Sequence, residues 1–284
     1  MIRKAGRIAF QGELGAYSHQ ACQAVYPDAE VVACKTFESA IATVKRGEAD
    51  IAMLPVENST YGRVADIHYL LPESGLHIIG EHFERVHINL MGVPGARLED
   101  VKSAKSHTVI MGQCRKFLKK HNLLPVTGAD TAGSAQEIAA KGDKTQAALA
   151  GDLAGKIYGL EVLAHHIEDN QNNTTRFLVM SPEPVDTPQS DKELITTFVF
   201  RVRNIPAALY KAMGGFATNG VNMVKLESYM IGGSFTATQF YADIVGHPDD
   251  APVRRALDEL AYFTTHLEIL GVYEADRSRG EPHR

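Results

Sequence analysis

The chain has no tryptophan, and it has only three cysteines among 284 residues. Cys22, Cys34 and Cys114 are odd in number and widely spaced. That excludes a disulfide framework and points to reduced thiols in a cytoplasmic protein. None of the 12 histidines falls in an HxH or HExxH spacing beside carboxylates or thiols, so no metal site is expected. Apolar runs are short. None approaches a membrane span, and after the basic start Met1–Arg7 only Ile8-Ala9-Phe10 intervenes before Gln11 and Gly12, too little for a signal-peptide core. A net charge of −5 gives no polyanion-binding surface, so neither nucleic acid nor a membrane is expected as a partner. No internal repeat or low-complexity tract is present.

What is there is ordinary for a globular protein. Hydrophobic residues make up 44% and charged residues 22%, and the length suggests two domains. Over the first 180 residues or so, apolar runs of strand length alternate with helical patterns. Strands are expected at Arg7–Phe10, Val31–Cys34 and Asp50–Leu54, the last ending at Pro55. Helices are expected over 16–26, over 64–71 and after the cap Thr36, where Phe37, Ile41 and Val44 recur at helical spacing. A long extended region, Leu76–Val93, leads into a second series. It comprises strand 101–106, helix 108–120, strand 125–127, helix 132–141, strand 146–150, helix 152–158 and strand 161–166. A final strand follows at 175–180. This alternation predicts an α/β domain of two lobes with parallel or mixed sheets and a ligand cleft between them.

Ser181–Lys192 holds three prolines and no apolar period, and reads as a linker. The order then changes to strand 194–202, a helix marked by Leu209, Met213 and Phe216, and strand 221–230. A turn at Ile231-Gly232-Gly233-Ser234, strand 235–245, a helix marked by Val253, Leu257 and Leu260, and strand 266–273 complete it. That is βαββαβ, a ferredoxin-like antiparallel sheet with helices on one face. Its other face or edge is expected to be covered by a second copy, giving a homodimer or homotetramer. The tail 275–284 is expected to be disordered. The boundaries are therefore 1–182 for the first domain, 183–192 for the linker, 193–274 for the second domain and 275–284 for the tail.

Four polar stretches lie where strands of the first domain end. Gly12–Ser18 reads first as a tight strand-to-helix turn, and second as an amide-rich anion cradle. Pro55–Gly62 places Glu57, Asn58, Ser59 and Thr60 in succession, equally a binding loop or an Asx turn. Ser106 is a good cap for a helix carrying Gln113 and Cys114, and Cys114 reads as core rather than nucleophile. Thr174-Thr175-Arg176 sets hydroxyls beside a guanidinium at the mouth of an apolar strand, which suits a carboxylate-bearing substrate that must lose an uncharged group.

Together these stretches resemble the prephenate dehydratase family from Arg7 to about Tyr273. Gly12-Glu13-Leu14-Gly15-Ala16-Tyr17-Ser18 matches its G-x-x-G-[TA]-[YF]-S turn. Pro55-Val56-Glu57-Asn58-Ser59-Thr60-Tyr61-Gly62 matches P-[VI]-E-N-S-x-x-G. Ser106-His107 with Gln113-Cys114 matches S-H and Q-C, and Thr175-Arg176-Phe177 matches T-R-F. Four motifs in order are highly specific. The second domain resembles the ACT regulatory module, with two departures. The family's G-A-L stands here as Pro206-Ala207-Ala208-Leu209, and its E-S-R-P as Glu227-Ser228-Tyr229-Met230. No chorismate mutase segment precedes Arg7, so the resemblance is to the monofunctional form.

The resemblance implies a dehydratase domain of periplasmic-binding-protein-like architecture. It implies conversion of prephenate to phenylpyruvate, water and carbon dioxide without a cofactor. Thr175 is the expected hydrogen-bond donor to the departing hydroxyl, with Thr174 its rival if the register is off by one. Arg176 is expected to hold a carboxylate, and Asn58, Ser59, Ser106, Gln113, Tyr17 and Ser18 to line the substrate. Glu57 faces a dianion only if protonated or paired, so a structural ion pair is at least as good a reading. L-Phenylalanine is the implied effector, at Pro206, Ala207, Ala208, Leu209, Asn222, Glu227 and Ser228. Arogenate dehydratase chemistry and a non-catalytic two-lobed sensor are the alternatives.

Overall fold

The computed structural model describes residues 5–189, 191–230 and 237–279. The apolar run Ile8-Ala9-Phe10 forms β1 (Arg7–Gln11), which is followed by α1 (Tyr17–Val25) and β2 (Glu30–Cys34). Thr36 starts α2 (Phe37–Lys45) with a reciprocal cap. Its Oγ1 accepts from the Ser39 N–H at 3.1 Å, and Ser39 Oγ accepts from the Thr36 N–H at 3.0 Å. Next come β3 (Ile51–Asn58), β4 (Gly62–Arg63), α3 (Ala65–Leu70) and β5 (His77–Arg85). The strand expected to stop at Pro55 runs on to Asn58, because Glu57 and Asn58 pair with Arg63 and Gly62 of β4.

The second series is β6 (Asn89–Gly92), β7 (Ser103–Ser106), α4 (Thr108–Gln113), α5 (Arg115–Lys120), β8 (Leu124–Thr127), α6 (Thr131–Lys141), β9 (Gln146–Ala150), α7 (Asp152–Tyr158), β10 (Glu161–Ala164) and β11 (Thr174–Ser181). The single helix expected over 108–120 is broken at Cys114, and Asp169 accounts for the break. Its N–H takes the Gln113 carbonyl at 2.6 Å, and its carboxylate accepts from the Lys116 N–H in the first turn of α5.

Among the described residues the strands form three sheets. One has the order β2-β1-β3-β11-β5 with β4 attached to β3, and β1 runs parallel to β2 and β3. A second has the order β10-β6-β9-β7-β8. It is mixed: β7 is parallel to β8 and β9, while β6 is antiparallel to β9 and β10. Alternate residues of this sheet feed two cores. Leu90, Ala147 and Leu149 pack with Ile110, Met111 and Leu118 from α4 and α5. Met91, Ala148 and Ala150 pack with Ala135, Ile138 and Ala154 from α6 and α7.

The third sheet is built from β12 (Leu194–Val202), β13 (Met223–Met230), β14 (Ala237–Val245) and β15 (Thr264–Glu274), with α8 (Ala208–Thr218) and α9 (Ala251–Phe263). Its order β13-β14-β12-β15 is antiparallel throughout, the expected ferredoxin-like arrangement. Phe198, Phe200, Phe240 and Ile244 meet Phe216, Val253 and Leu260 of the two helices.

By their contacts the residues divide into two compact units: 5–64 with 82–177, and 65–81 with the described residues beyond 177. This division differs from the boundary expected near 182. Residues 65–81 lie on the sheet face that a second copy was expected to cover. The His68 ring meets Tyr241 edge-on at 5.1 Å, and Tyr69 meets Tyr229 at 5.6 Å. At Gly271 a Cβ would collide with the Ile78 carbonyl oxygen, so only glycine permits this approach.

Residues 275–279 are also held, contrary to the disordered tail expected there. The Asp276 N–H donates to Glu81 at 3.1 Å, and the Arg279 fork grips both Glu81 oxygens at 2.7 and 2.5 Å. The expected turn at Ile231–Ser234 lies outside the described residues.

Candidate active site

The end of β3 and the start of β11 bring Asn58, Asn173 and Thr175 together. Asn58 Oδ1 accepts from the Thr60 and Tyr61 N–H groups, each at 3.0 Å, an Asx turn fixed by the backbone. Its Nδ2 therefore faces the other way. It donates to Asn173 Oδ1 at 2.7 Å, to Thr175 Oγ1 at 3.0 Å and to the Thr174 carbonyl at 3.3 Å. Asn173 Nδ2 then donates to Gln113 Oε1 at 2.7 Å, at the end of α4. With Thr175 Oγ1 accepting from Asn58, its hydroxyl hydrogen remains to be donated elsewhere.

Ser59 ties the loop to the incoming strand. Its Oγ accepts from the Thr174 N–H and donates to the Asn172 carbonyl, both at 2.9 Å, and its own N–H bonds the Thr174 carbonyl. The rival hydroxyl, Thr174 Oγ1, is buried without a hydrogen-bond partner and takes no part in this group. Arg176 is 2% exposed, and its Nη1 donates to Glu57 Oε1 at 2.9 Å. Thr175 and Arg176 thus sit at the strand mouth beside adjacent β3 residues, Asn58 and Glu57.

Other expected substrate contacts lie elsewhere. Ser106 is fully buried and donates to the Leu149 carbonyl at 2.8 Å, pinning β7 to β9. Tyr17 packs into the core of the second sheet and donates to the His87 carbonyl at 2.8 Å. Burial, with nearby anionic groups, pushes its phenol well above the ordinary range. Ser18 is buried in the first turn of α1. The Gly12–Ser18 turn is a packing device. Gly15 has φ +92, its Cβ would meet Ala154 Cα at 2.8 Å, and its N–H donates to His19 Nδ1. Cys114 is buried, and burial first, then Glu168 and Asp169, holds its thiol far above the nucleophilic range.

The expected effector residues lie on the third sheet, its loops and the start of α8. Pro206 and Ala207 precede α8, whose first residues are Ala208 and Leu209, and Ala207 is left-handed at φ 62. Asn222 lines a hollow with Gly220, Val245 and Asp250 that Pro206–Leu209 do not reach. Glu227 pairs with Lys225 at 3.4 Å on β13, beside the exposed Ser228.

Asn173 had no role in the sequence reading. Its signal was position: two residues before Thr175 on an extended chain, it shares that side of the backbone.

The prephenate dehydratase family model matches residues 8–185, which span every residue of this polar group. The chain belongs to the prephenate dehydratase family. A bifunctional N-acyl-homoserine lactone acylase/prephenate dehydratase of Komagataeibacter europaeus is 50% identical over 97% of this chain and 98% of its own. Arogenate dehydratase/prephenate dehydratase 1 of Arabidopsis thaliana is 36% identical, covering 96% of this chain and 73% of the plant protein. The crystal structure of prephenate dehydratase from Arthrobacter aurescens in complex with L-Phe superposes with a TM-score of 0.86 at 31% identity, over 94% of this chain and 90% of that one. The prephenate dehydratase fold thus extends through the C-terminal sheet. Among the described residues no helix is long and apolar enough to cross a membrane.

Proposed function

We propose that this family member is a carbon–oxygen lyase acting on prephenate in L-phenylalanine biosynthesis, in the cytoplasm and without a cofactor. The observation that carries the reading is Thr175 Oγ1 accepting from an Asn58 amide whose orientation the backbone fixes. Prephenate dianion plus one proton gives phenylpyruvate, carbon dioxide and water. The bond to the ring carboxylate breaks, its electron pair enters the ring, and the hydroxyl across the ring leaves. Aromatisation drives the step, so the protein has to position the dianion and stabilise the departing oxygen. Thr175 donates its hydrogen bond to that oxygen. A threonine is too weak an acid to supply a free proton at neutral pH, so the net proton comes from solvent. Gln113 and Ser59 border the substrate, and Arg176 meets a carboxylate in competition with Glu57.

Residues 1–182 would form the catalytic domain and 193–274 an ACT module that binds L-phenylalanine at a homodimer interface, where Pro206–Leu209 of one copy would meet Asn222, Glu227 and Ser228 of the other. The Arthrobacter aurescens complex with L-Phe supports that effector. A homodimer or homotetramer would use the edge strand β13, where Leu226 and Met230 are exposed.

The plant relatives' names favour arogenate as a second substrate, and the Komagataeibacter europaeus name favours an added lactone acylase activity. One preparation tests all three. Phenylpyruvate formed from prephenate, suppressed by L-phenylalanine, is the expected result. Turnover of arogenate alone, or of an acyl-homoserine lactone alone, would overturn it.

A further inference from the structure

The amides of Asn58, Asn173 and Gln113 form a chain with only one workable direction. Two backbone N–H groups, of Thr60 and Tyr61, hold Asn58 Oδ1. Asn58 Nδ2 must then donate to Asn173 Oδ1, so Asn173 Nδ2 must donate to Gln113 Oε1, each at 2.7 Å. Flipping any one amide would set donor against donor or acceptor against acceptor. The remaining polar group of Gln113 is its Nε2, a donor. A backbone turn on β3 thus dictates which face of a side chain on α4 carries N–H, and Asn173 is the link.

We infer that Asn173 is a positioning residue for the dehydratase reaction, holding Gln113 as a donor toward the anionic substrate and Asn58 against Thr175. The inference rests on the dehydratase reading above. Asn173 is 1% exposed, so it acts through its two neighbours and not by contact with substrate. It also anchors the strand approach, since its carbonyl accepts from the Val86 N–H at 2.9 Å. Aspartate keeps that backbone bond and the side-chain shape while changing the donor pattern, which makes it the informative substitution.

A neutral aspartic acid reproduces asparagine here: its carbonyl accepts from Asn58 and its O–H donates to Gln113. An ionised one only accepts. Gln113 would then have to turn its Nε2 toward the new carboxylate and withdraw it from the substrate. Charged groups on the surrounding elements are Glu57, Arg176, Arg85, Lys116, Glu168 and Asp169. Their own titration is common to both proteins and cancels in the ratio, while their field sets the pH at which the new carboxyl titrates.

The test is kcat/KM for prephenate from pH 5 to pH 8, measured on the full chain and on Asn173→Asp. The expected ratio of variant to parent is low at pH 8 and rises by about tenfold per pH unit while the new carboxyl titrates. A ratio that stays depressed and flat in a folded variant would reduce Asn173 to a structural residue, and a ratio near one throughout would also overturn the inference. A parent with no prephenate turnover at any pH would overturn the functional reading with it. If Asn173→Asp does not fold by circular dichroism, Gln113→Glu takes its place. It keeps the acceptor for Asn173 and removes the donor. A KM for prephenate raised at pH 8 and recovering toward pH 5 supports the inference; an unchanged KM overturns it.

Discussion

Asn58 Nδ2 lies 3.0 Å from Thr175 Oγ1, joining the last residue of one strand to the second residue of another across 117 positions of sequence. Because the amide donates, the threonine hydrogen is left for another acceptor, which in the proposed reaction is the departing oxygen. Asn58→Asp keeps the acceptor for the Thr60 and Tyr61 N–H groups but cannot donate, and the Thr175 hydroxyl would turn to bond the new carboxylate. A loss in kcat on the order of a hundredfold is expected, similar to removing one oxyanion donor. Steady-state kinetics on prephenate would check this. A kcat within threefold of the parent would contradict it.

Thr174 carries the opposite expectation. Its buried hydroxyl has no hydrogen-bond partner, so the desolvation penalty is uncompensated. Thr174→Val keeps the shape and removes the polar atom. Urea unfolding should show unchanged stability or a gain of about 1 kcal/mol, and turnover should stay within twofold. A clear loss of either would mean that the hydroxyl has an unrecognised role.

Ala207 is left-handed at φ 62 at the cap of α8. That conformation costs a residue with a Cβ about 1–2 kcal/mol, and glycine relieves it while adding about 0.4–1 kcal/mol of unfolded-state entropy. The strain is the larger quantity, so Ala207→Gly should raise the midpoint of thermal unfolding. A lower midpoint would show that the alanine methyl makes contacts worth more than the strain.

Arg279 grips Glu81, and its Nη2 lies 3.6 Å from Asp243. Both carboxylate side chains are fully buried. Arg279→Met removes the guanidinium bound to Glu81, and a loss of about 1.5–3 kcal/mol is expected from the charge-assisted hydrogen bonds given up. Denaturant titration should show it in the unit containing 65–81 and the third sheet. A loss under about 1 kcal/mol, as for exposed pairs, would contradict this.

The order of strands and helices was legible because apolar period and turn chemistry are local. The cap at Thr36 and the βαββαβ order needed nothing beyond neighbouring residues. The break at Cys114 was not legible, since Asp169, far along the chain, causes it. Nor could the sequence show that 65–81 would cover the third sheet, or that Arg279 would be held by Glu81. The last two pairings join segments more than a hundred residues apart. In the site, the residue types at Asn58, Gln113 and Thr175 suggested hydrogen bonding. Which way each hydroxyl or amide points is a tertiary property, and Ser106 and Tyr17 turned to carbonyls of their own fold.

Thr175 is the proposed donor to the departing oxygen, and turnover of prephenate by Thr175→Ala tests that role most directly. Phenylpyruvate formation should fall by on the order of a hundredfold or more in kcat with a much smaller change in KM, because the bond strengthens as the hydroxyl leaves. A folded Thr175→Ala protein with near-parental kcat would contradict the account.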